Sequence, residues 1–410
     1  MNFKGFPNLN WESVLKRPLI ESQCADTSKS LVRYFISCFF RKKGGNYQLK
    51  KGNGSKILFF QPYYSRNSYL EQVDNLVDYL KCDLIRGKKN EKEKRLLSIT
   101  FIFKYIIPWY KTIASSKLYP QLWLRFKILE SVISLYDLNI YLKRFDIHNY
   151  NLLVTFCDSI IEEAFMTELL KASEVKTATL QHGQFTAFRE NTLVNSGVEI
   201  KSLKSDYFLV WNQMTIDECK KENIEAVDLV PCGILGYFGK KYEHSINPQN
   251  RIFGVVINHQ VFEKENLSLI QSANTLASQI GYKYYLKLHP NYSPDYFDSY
   301  VDKDYYIGNI KKGIPILEYA NMCEFSLASS SSVFCELVYV RHNVLRLSTG
   351  EINDKFRDVP YGRTFSNCSD VVINYRKGFD QEEEQKLFEY LCETDEVTEK
   401  YMNFFHKFEE

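Results

Sequence analysis

Residues 151–183 decide the fold class: Asn151-Leu-Leu-Val-Thr-Phe156, then Cys157-Asp-Ser159, a span over 160–175, Lys176-Thr-Ala-Thr-Leu180, and Gln181-His182-Gly183. The first apolar run has the length and composition of a buried strand. The span 160–175 repeats apolar side chains at three- and four-residue spacing, as a helix does, and 176–180 is a second short strand. Strand, helix and strand in succession close as a parallel pair with the helix crossing one face. In such α/β sheets, ligands sit beyond the carboxyl ends of the strands. Here those ends carry Cys157-Asp158-Ser159 and Gln181-His182-Gly183.

The same alternation extends outward. Downstream, 206–211 and 227–230 read as strands, with a helix over 215–223 between them. Upstream, Lys56-Ile-Leu-Phe-Phe60 reads as a strand and 69–80 as a helix, while 95–145 reads as a helical insertion after an irregular or helical lead-in over 1–43. The polar stretch 240–250 lacks an apolar period and marks a linker. Beyond it the pattern restarts: strands over 251–257, 283–288, 323–327 and 343–347, helices over 266–280 and after Ser332, then terminal helices over 381–408. This predicts two successive α/β domains, 1–240 and 251–380, with C-terminal helices over 381–410. Gly233 to Gly239, a G-x-x-G-x-x-G run just before the linker, reads as a hinge.

Bulk properties limit the alternatives. With 410 residues, 45% hydrophobic and 25% charged, the chain can bury a core without metals or disulfides. A net charge of +2 gives no global field for nucleic acid. The ten cysteines form no C-x-x-C pair and read as buried thiols in a reducing cytoplasm. The amino terminus has no signal-peptide pattern. No run reaches the about 18 apolar residues of a membrane span. Two segments, 33–43 and 96–109 with the basic stretch 88–95 before it, read either as buried helix with solvated charges or as a face resting on an anionic membrane.

Three strand ends carry candidate chemistry. His182 could take a proton from an acceptor hydroxyl, with Gly183 allowing close approach of a ligand. His289, delivered by the run Leu286-Lys287-Leu288 and directed by Pro290, could donate to a phosphate oxygen. Ser329 to Ser332 precede an apolar-periodic helix, so hydroxyls and free N–H groups would face an anion, with Glu336 in its first turns. Asp302-Lys303-Asp304 has a D-x-D form but sits in a polar turn with no strand leading into it. No P-loop or G-x-S-x-G is present.

Taken in order, "KLHPN" and "ASSSSVFCEL" resemble the HP and S/SS motifs of bacterial sialyltransferases and polysialyltransferases. They are similar also to the "HP … DYSSV" pattern of CDP-glycerol glycerophosphotransferases, whose acceptor domain has a His-Gly strand end like "TLQHGQF". The resemblance covers about residues 150–350. It implies the GT-B fold, two facing Rossmann-like domains, and transfer of a sugar from a nucleotide-activated donor to an oligosaccharide or lipid-linked acceptor of bacterial surface polysaccharide at the cytoplasmic side of the cell membrane. It implies His182 or Asp158 as base. His289, Pro290, Ser330, Ser331, Ser332 and Glu336 would form the nucleotide-phosphate site, and Gln181, Gly183 and Arg66 would contact the acceptor, with no metal or cofactor. The chain departs from the glycerophosphotransferases, where Asp-Tyr stands in place of Ser329-Ser330, and lacks the acidic motif of the sialyltransferases. Rival readings are a polyol-phosphate transferase, a nucleotide-sugar 2-epimerase lacking an apparent carboxylate set, and a non-catalytic scaffold of the same fold.

Overall fold

The computed structural model describes residues 1–22, 34–36, 38, 40–42, 47–62, 64, 67–88, 94–185, 195–240, 251–310, 313–349 and 354–409. Its strands are β1 (Phe40–Lys42), β2 (Tyr47–Lys50), β3 (Ile57–Gln61), β4 (Asp83–Gly87), β5 (Lys94–Leu96), β6 (Leu152–Thr155), β7 (Lys176–Leu180), β8 (Tyr207–Val210), β9 (Asp228–Pro231), β10 (Ile252–Val256), β11 (Lys283–Lys287), β12 (Tyr306–Asn309), β13 (Phe325–Ala328), β14 (Val344–Leu347) and β15 (Thr364–Phe365).

The first large sheet runs β2-β4-β3-β6-β7-β8-β9, parallel except for β2, which pairs antiparallel with β4 at the edge. Every residue of β3 and β6 is buried, because helices cover both faces. The period of two along β3 divides its side chains between two cores. Leu58 and Phe60 join the insertion helices Ile107–Ser115 and Leu122–Leu142, whereas Ile57 and Phe59 join the helix Asn67–Leu80 and the carboxyl-terminal helices. The lead-in is tied to the insertion: Lys4 O accepts from Trp109 Nε1 at 2.9 Å and Gly5 O from Asn139 Nδ2 at 2.9 Å.

The second sheet is wholly parallel, β12-β11-β10-β13-β14-β15. Counted from β10, this is the 3-2-1-4-5-6 order of a Rossmann domain, with the chain reversing direction across the sheet between β10 and β13. Counted from β3, the parallel strands of the first sheet run 2-1-3-4-5-6, and the reversal falls between β3 and β6.

The linker residues 241–250 lie outside the described residues. Just before them, Gly233 has a φ of +83°, and a Cβ there would stand 2.8 Å from Val397. The terminal helices return to the first domain. Asn212 Nδ2 donates to Leu391 O at 2.7 Å, and Phe404 packs edge-on against Tyr207 at 5.3 Å. The Asp302-Lys303-Asp304 turn is closed locally, with Asp302 Oδ1 accepting from Asp304 N at 3.0 Å. The nine described cysteines are free thiols, and all but Cys368 are buried.

Candidate active site

In the second domain, the reversal point places the end of β10 between the ends of β11 and β13. The HP loop after β11 leans on the loop after β10. His289 and His259 lie edge to face with ring centroids 4.9 Å apart, and His259 Nε2 is 2.7 Å from Asn291 Nδ2. His289 Nδ1 accepts from Asn291 N at 3.3 Å, so the proton of the neutral ring sits on Nε2. Pro290 is exposed at the turn.

The serine loop divides into two pairs. Ser329 and Ser330 are buried, and Ser330 Oγ donates to Asp354 Oδ1 at 3.2 Å. Asp354 also receives Arg346 Nη1 at 3.0 Å, Ser348 Oγ at 3.4 Å and the Phe356 amide at 3.0 Å. Ser331 and Ser332 are half-buried and lead into the helix Val333–Tyr339, with Ser331 Oγ accepting from Val333 N at 3.4 Å. Glu336 is raised above its ordinary value by burial, opposed by Lys287 and Lys240. Lys287 is lowered by burial, opposed by Glu336, and its Nζ lies 5.5 Å over the Tyr319 ring. Arg346, Asp354 and His259 carried no motif in the sequence; only the places of Arg346 and His259 at or beside strand ends point to them.

In the first domain, His182 is set in an aromatic frame of Phe156 (5.1 Å), Phe185 (5.3 Å) and Tyr69 (5.7 Å). Its Nε2 lies 3.7 Å from Glu199 Oε1, which is also 3.8 Å from Arg17 Nη1. Gln181 locks the loop: Oε1 accepts from Trp211 N at 2.6 Å, and Nε2 donates to Gly183 O at 2.8 Å and Thr215 Oγ1 at 2.9 Å. Among the described residues other than its chain neighbours, none lies within 4 Å of a Cβ built on Gly183, which leaves room for a ligand beside the histidine. Arg66 lies outside the described residues.

Asp158 faces inward. Its Oδ2 accepts from the amides of Lys204 (2.9 Å) and Ser205 (2.8 Å), and its carbonyl oxygen accepts from Lys204 Nζ at 2.8 Å. Cys157, His182 and Glu199 bring potential ligand atoms within 4.8 Å of one another. Arg17, which also donates to Ser159 Oγ at 2.9 Å, already places positive charge against that carboxylate.

A buried carboxyl lies under this loop. Glu163, at the start of the helix Ile161–Lys171, accepts from the amides of Phe156 (3.0 Å) and Cys157 (2.7 Å) and from Tyr64 Oη (3.1 Å). Burial outweighs these donors and pushes it up to about 8 from 4.5. The folded chain therefore holds this proton where the unfolded chain releases it. The contribution to stability is fully present below about 4.5 and is lost as pH rises through about 8. The melting temperature should fall across that window. Glu163→Gln should flatten the slope while costing about 1–3 kcal/mol, because its NH2 group must oppose one of the N–H or O–H donors. An unchanged slope in the variant would remove Glu163 as the cause.

The two carboxyl edges meet. Gln184 Oε1, two residues past His182, lies 3.9 Å from Cys335 Sγ, three residues past Ser332. Alongside, Tyr237 stacks on Tyr339 at 3.6 Å, and its Oη donates to Glu336 O at 3.3 Å. Two Rossmann-like domains joined with their carboxyl edges together define the class: this chain has the GT-B fold. No protein-family model matches it, and no curated protein matches it in sequence. Solved structures of similar fold include S. aureus MnaA in a co-structure with UDP (TM-score 0.50, 10% identity, 85% of this chain and 95% of that one). A putative UDP-N-acetylglucosamine 2-epimerase from Listeria monocytogenes is similar at TM-score 0.51 and 10% identity, over 86% of this chain and 96% of that one. At this identity the likeness is one of fold.

Proposed function

We propose that this protein is a nucleotide-sugar enzyme, and in the first instance a glycosyltransferase that adds a sugar to a hydroxyl of a bacterial surface polysaccharide at the cytoplasmic face of the membrane. The observation that carries the reading is the apposition of the His182 loop and the serine-led helix across the domain contact at Gln184 and Cys335. The donor diphosphate lies at the end of β13, where the Ser331 and Ser332 hydroxyls and His289 Nε2–H offset the charge developing on the leaving group. Ser330 holds the loop to Asp354 from below. Glu336 takes a hydroxyl of the ribose or sugar. The acceptor enters over Gly183, and His182, steadied by Glu199, removes its proton. Asp158 is the weaker candidate base, since its Oδ2 is engaged by two backbone amides.

A second reading, a nucleotide-sugar 2-epimerase, is favoured by Glu163 and Glu199, which supply around the His182 loop the carboxylates that no sequence motif announced. The epimerase among the solved structures of similar fold points the same way.

A thermal-shift screen against CMP, CDP, UDP and GDP tests the donor site. A nucleotide present at about 100 times its Kd should stabilise the fold by about 2.7 kcal/mol. Ser331→Ala with His289→Ala should abolish that shift. Response to CMP or CDP alone favours the sialyl or polyol-phosphate branch, and response to UDP favours a UDP-sugar. No response to any nucleotide sinks the enzyme reading in favour of a scaffold. Incubation of the matching nucleotide sugar without acceptor then separates epimerase from transferase by whether a C2 epimer forms.

A further inference from the structure

Among the described residues, the helical insertion carries an apolar face that is exposed. Along the helical stretch from Ile99 to Ser115, Ile99 is 74% exposed and Phe103 68%, with Ile107 exposed one turn further. Spacing of four puts these three on one side. Leu118 and Leu122, at the turn into the next helix, are exposed as well. The patch continues sideways: Tyr110 stacks on Phe126 at 5.4 Å, and Phe126 meets the exposed Phe35 at 5.1 Å, next to the exposed Ile36. Isolated apolar side chains are ordinary on a protein surface, but a joined set of this size marks a contact.

Along this stretch of chain the charge is of one sign, with Glu93 and Glu130 at its two ends. From Lys94 to Leu129 the chain has Lys94, Arg95, Lys104, Lys111, Lys117, Arg125 and Lys127 and no Asp or Glu. Lys104, Lys111 and Lys117 are exposed among the apolar side chains. Among the described residues no helix is long and apolar enough to cross a membrane. An apolar strip with exposed lysines set among it suits a partner with an apolar interior beneath an anionic surface.

We propose that this face of the insertion docks on an anionic lipid bilayer, with Ile99, Phe103, Ile107, Leu118 and Leu122 entering the headgroup boundary and Lys104, Lys111 and Lys117 meeting lipid phosphates. The inference stands independently of the nucleotide reading, since it uses none of the strand-end residues.

Co-sedimentation with vesicles tests it. The full chain should bind vesicles of equimolar phosphatidylcholine and phosphatidylglycerol and should bind pure phosphatidylcholine far less. Added salt should weaken the binding by screening. Ile99→Ser with Phe103→Ser, and separately Lys104→Glu with Lys111→Glu, should each lower the partition coefficient on the order of tenfold or more. These are surface positions, so the melting temperature should hold, which separates lost docking from lost folding. Wild-type partitioning in both double variants overturns the proposal, as does absence of binding to anionic vesicles. A dimer in sedimentation velocity that Phe103→Ser dissociates, without vesicle binding, also overturns it and assigns the face to a second copy of the chain.

Discussion

Replacing His182 with Ala should lower turnover of the nucleotide sugar selected by the thermal-shift screen by about 10²–10⁴-fold, the range expected when a positioned general base is removed. The loss should fall on kcat, because the proposed donor contacts reside on the second domain and the proposed acceptor contacts of Gly183 and the Gln181-locked backbone survive the change. His182→Ala should therefore keep the nucleotide-induced thermal shift. Glu199→Gln should produce a smaller fall, since the carboxylate lies 3.7 Å from Nε2 and steadies the ring in the loop. Full activity in His182→Ala would end the assignment of this residue as base.

Asp354→Ala should destabilise the fold by about 3–5 kcal/mol, read as a lower urea midpoint at unchanged slope. Arg346 and Asp354 are 2% and 1% exposed, with Nη1 and Oδ2 3.0 Å apart. Removing the carboxylate leaves a buried guanidinium without its counter-charge, and the amide of Phe356 and the hydroxyl of Ser330 lose an acceptor. A compensating pair, Arg346→Met with Asp354→Leu, replaces both charges by apolar groups of similar bulk and should recover most of the stability. It does not restore the acceptor for Ser330. The double variant should therefore fold yet respond less to nucleotide. Equal loss in the single and double variants would show that the charge pair is not the source of the effect.

The alternation of apolar runs and helical periods was legible because local burial imposes it. Strands β3, β6, β7, β10 and β11 and the helices following β6 and β10 fall where the pattern puts them, with ends displaced by at most four residues. Strand β4, Asp83-Leu-Ile-Arg-Gly87, carries no such pattern because charged residues interrupt a short run. Asp83 is satisfied only by the amide of Gly52, Lys51 and Tyr150, all distant in sequence. The two-residue β15 is too short to carry a period. The insertion was open to two readings, and the exposure of Ile99 and Phe103 goes against a wholly buried helix. Periodicity says which face is apolar but not whether another element covers it.

The sequence by itself determined the α/β class, the two successive domains, and the delivery of His182, His289 and the serine loop to strand ends, because those follow from the order of short-range patterns. Only the tertiary structure decided how the three loops are used. It turned Ser330 inward to Asp354 and engaged Asp158 with the amides of Lys204 and Ser205. It also brought Glu199 to His182 and Glu163 to the amides of Phe156 and Cys157, and set Gln184 against Cys335 across the domain contact. Those pairings join residues as far as 151 positions apart. The desolvation that keeps Glu163 protonated arises only when its covering helices are packed.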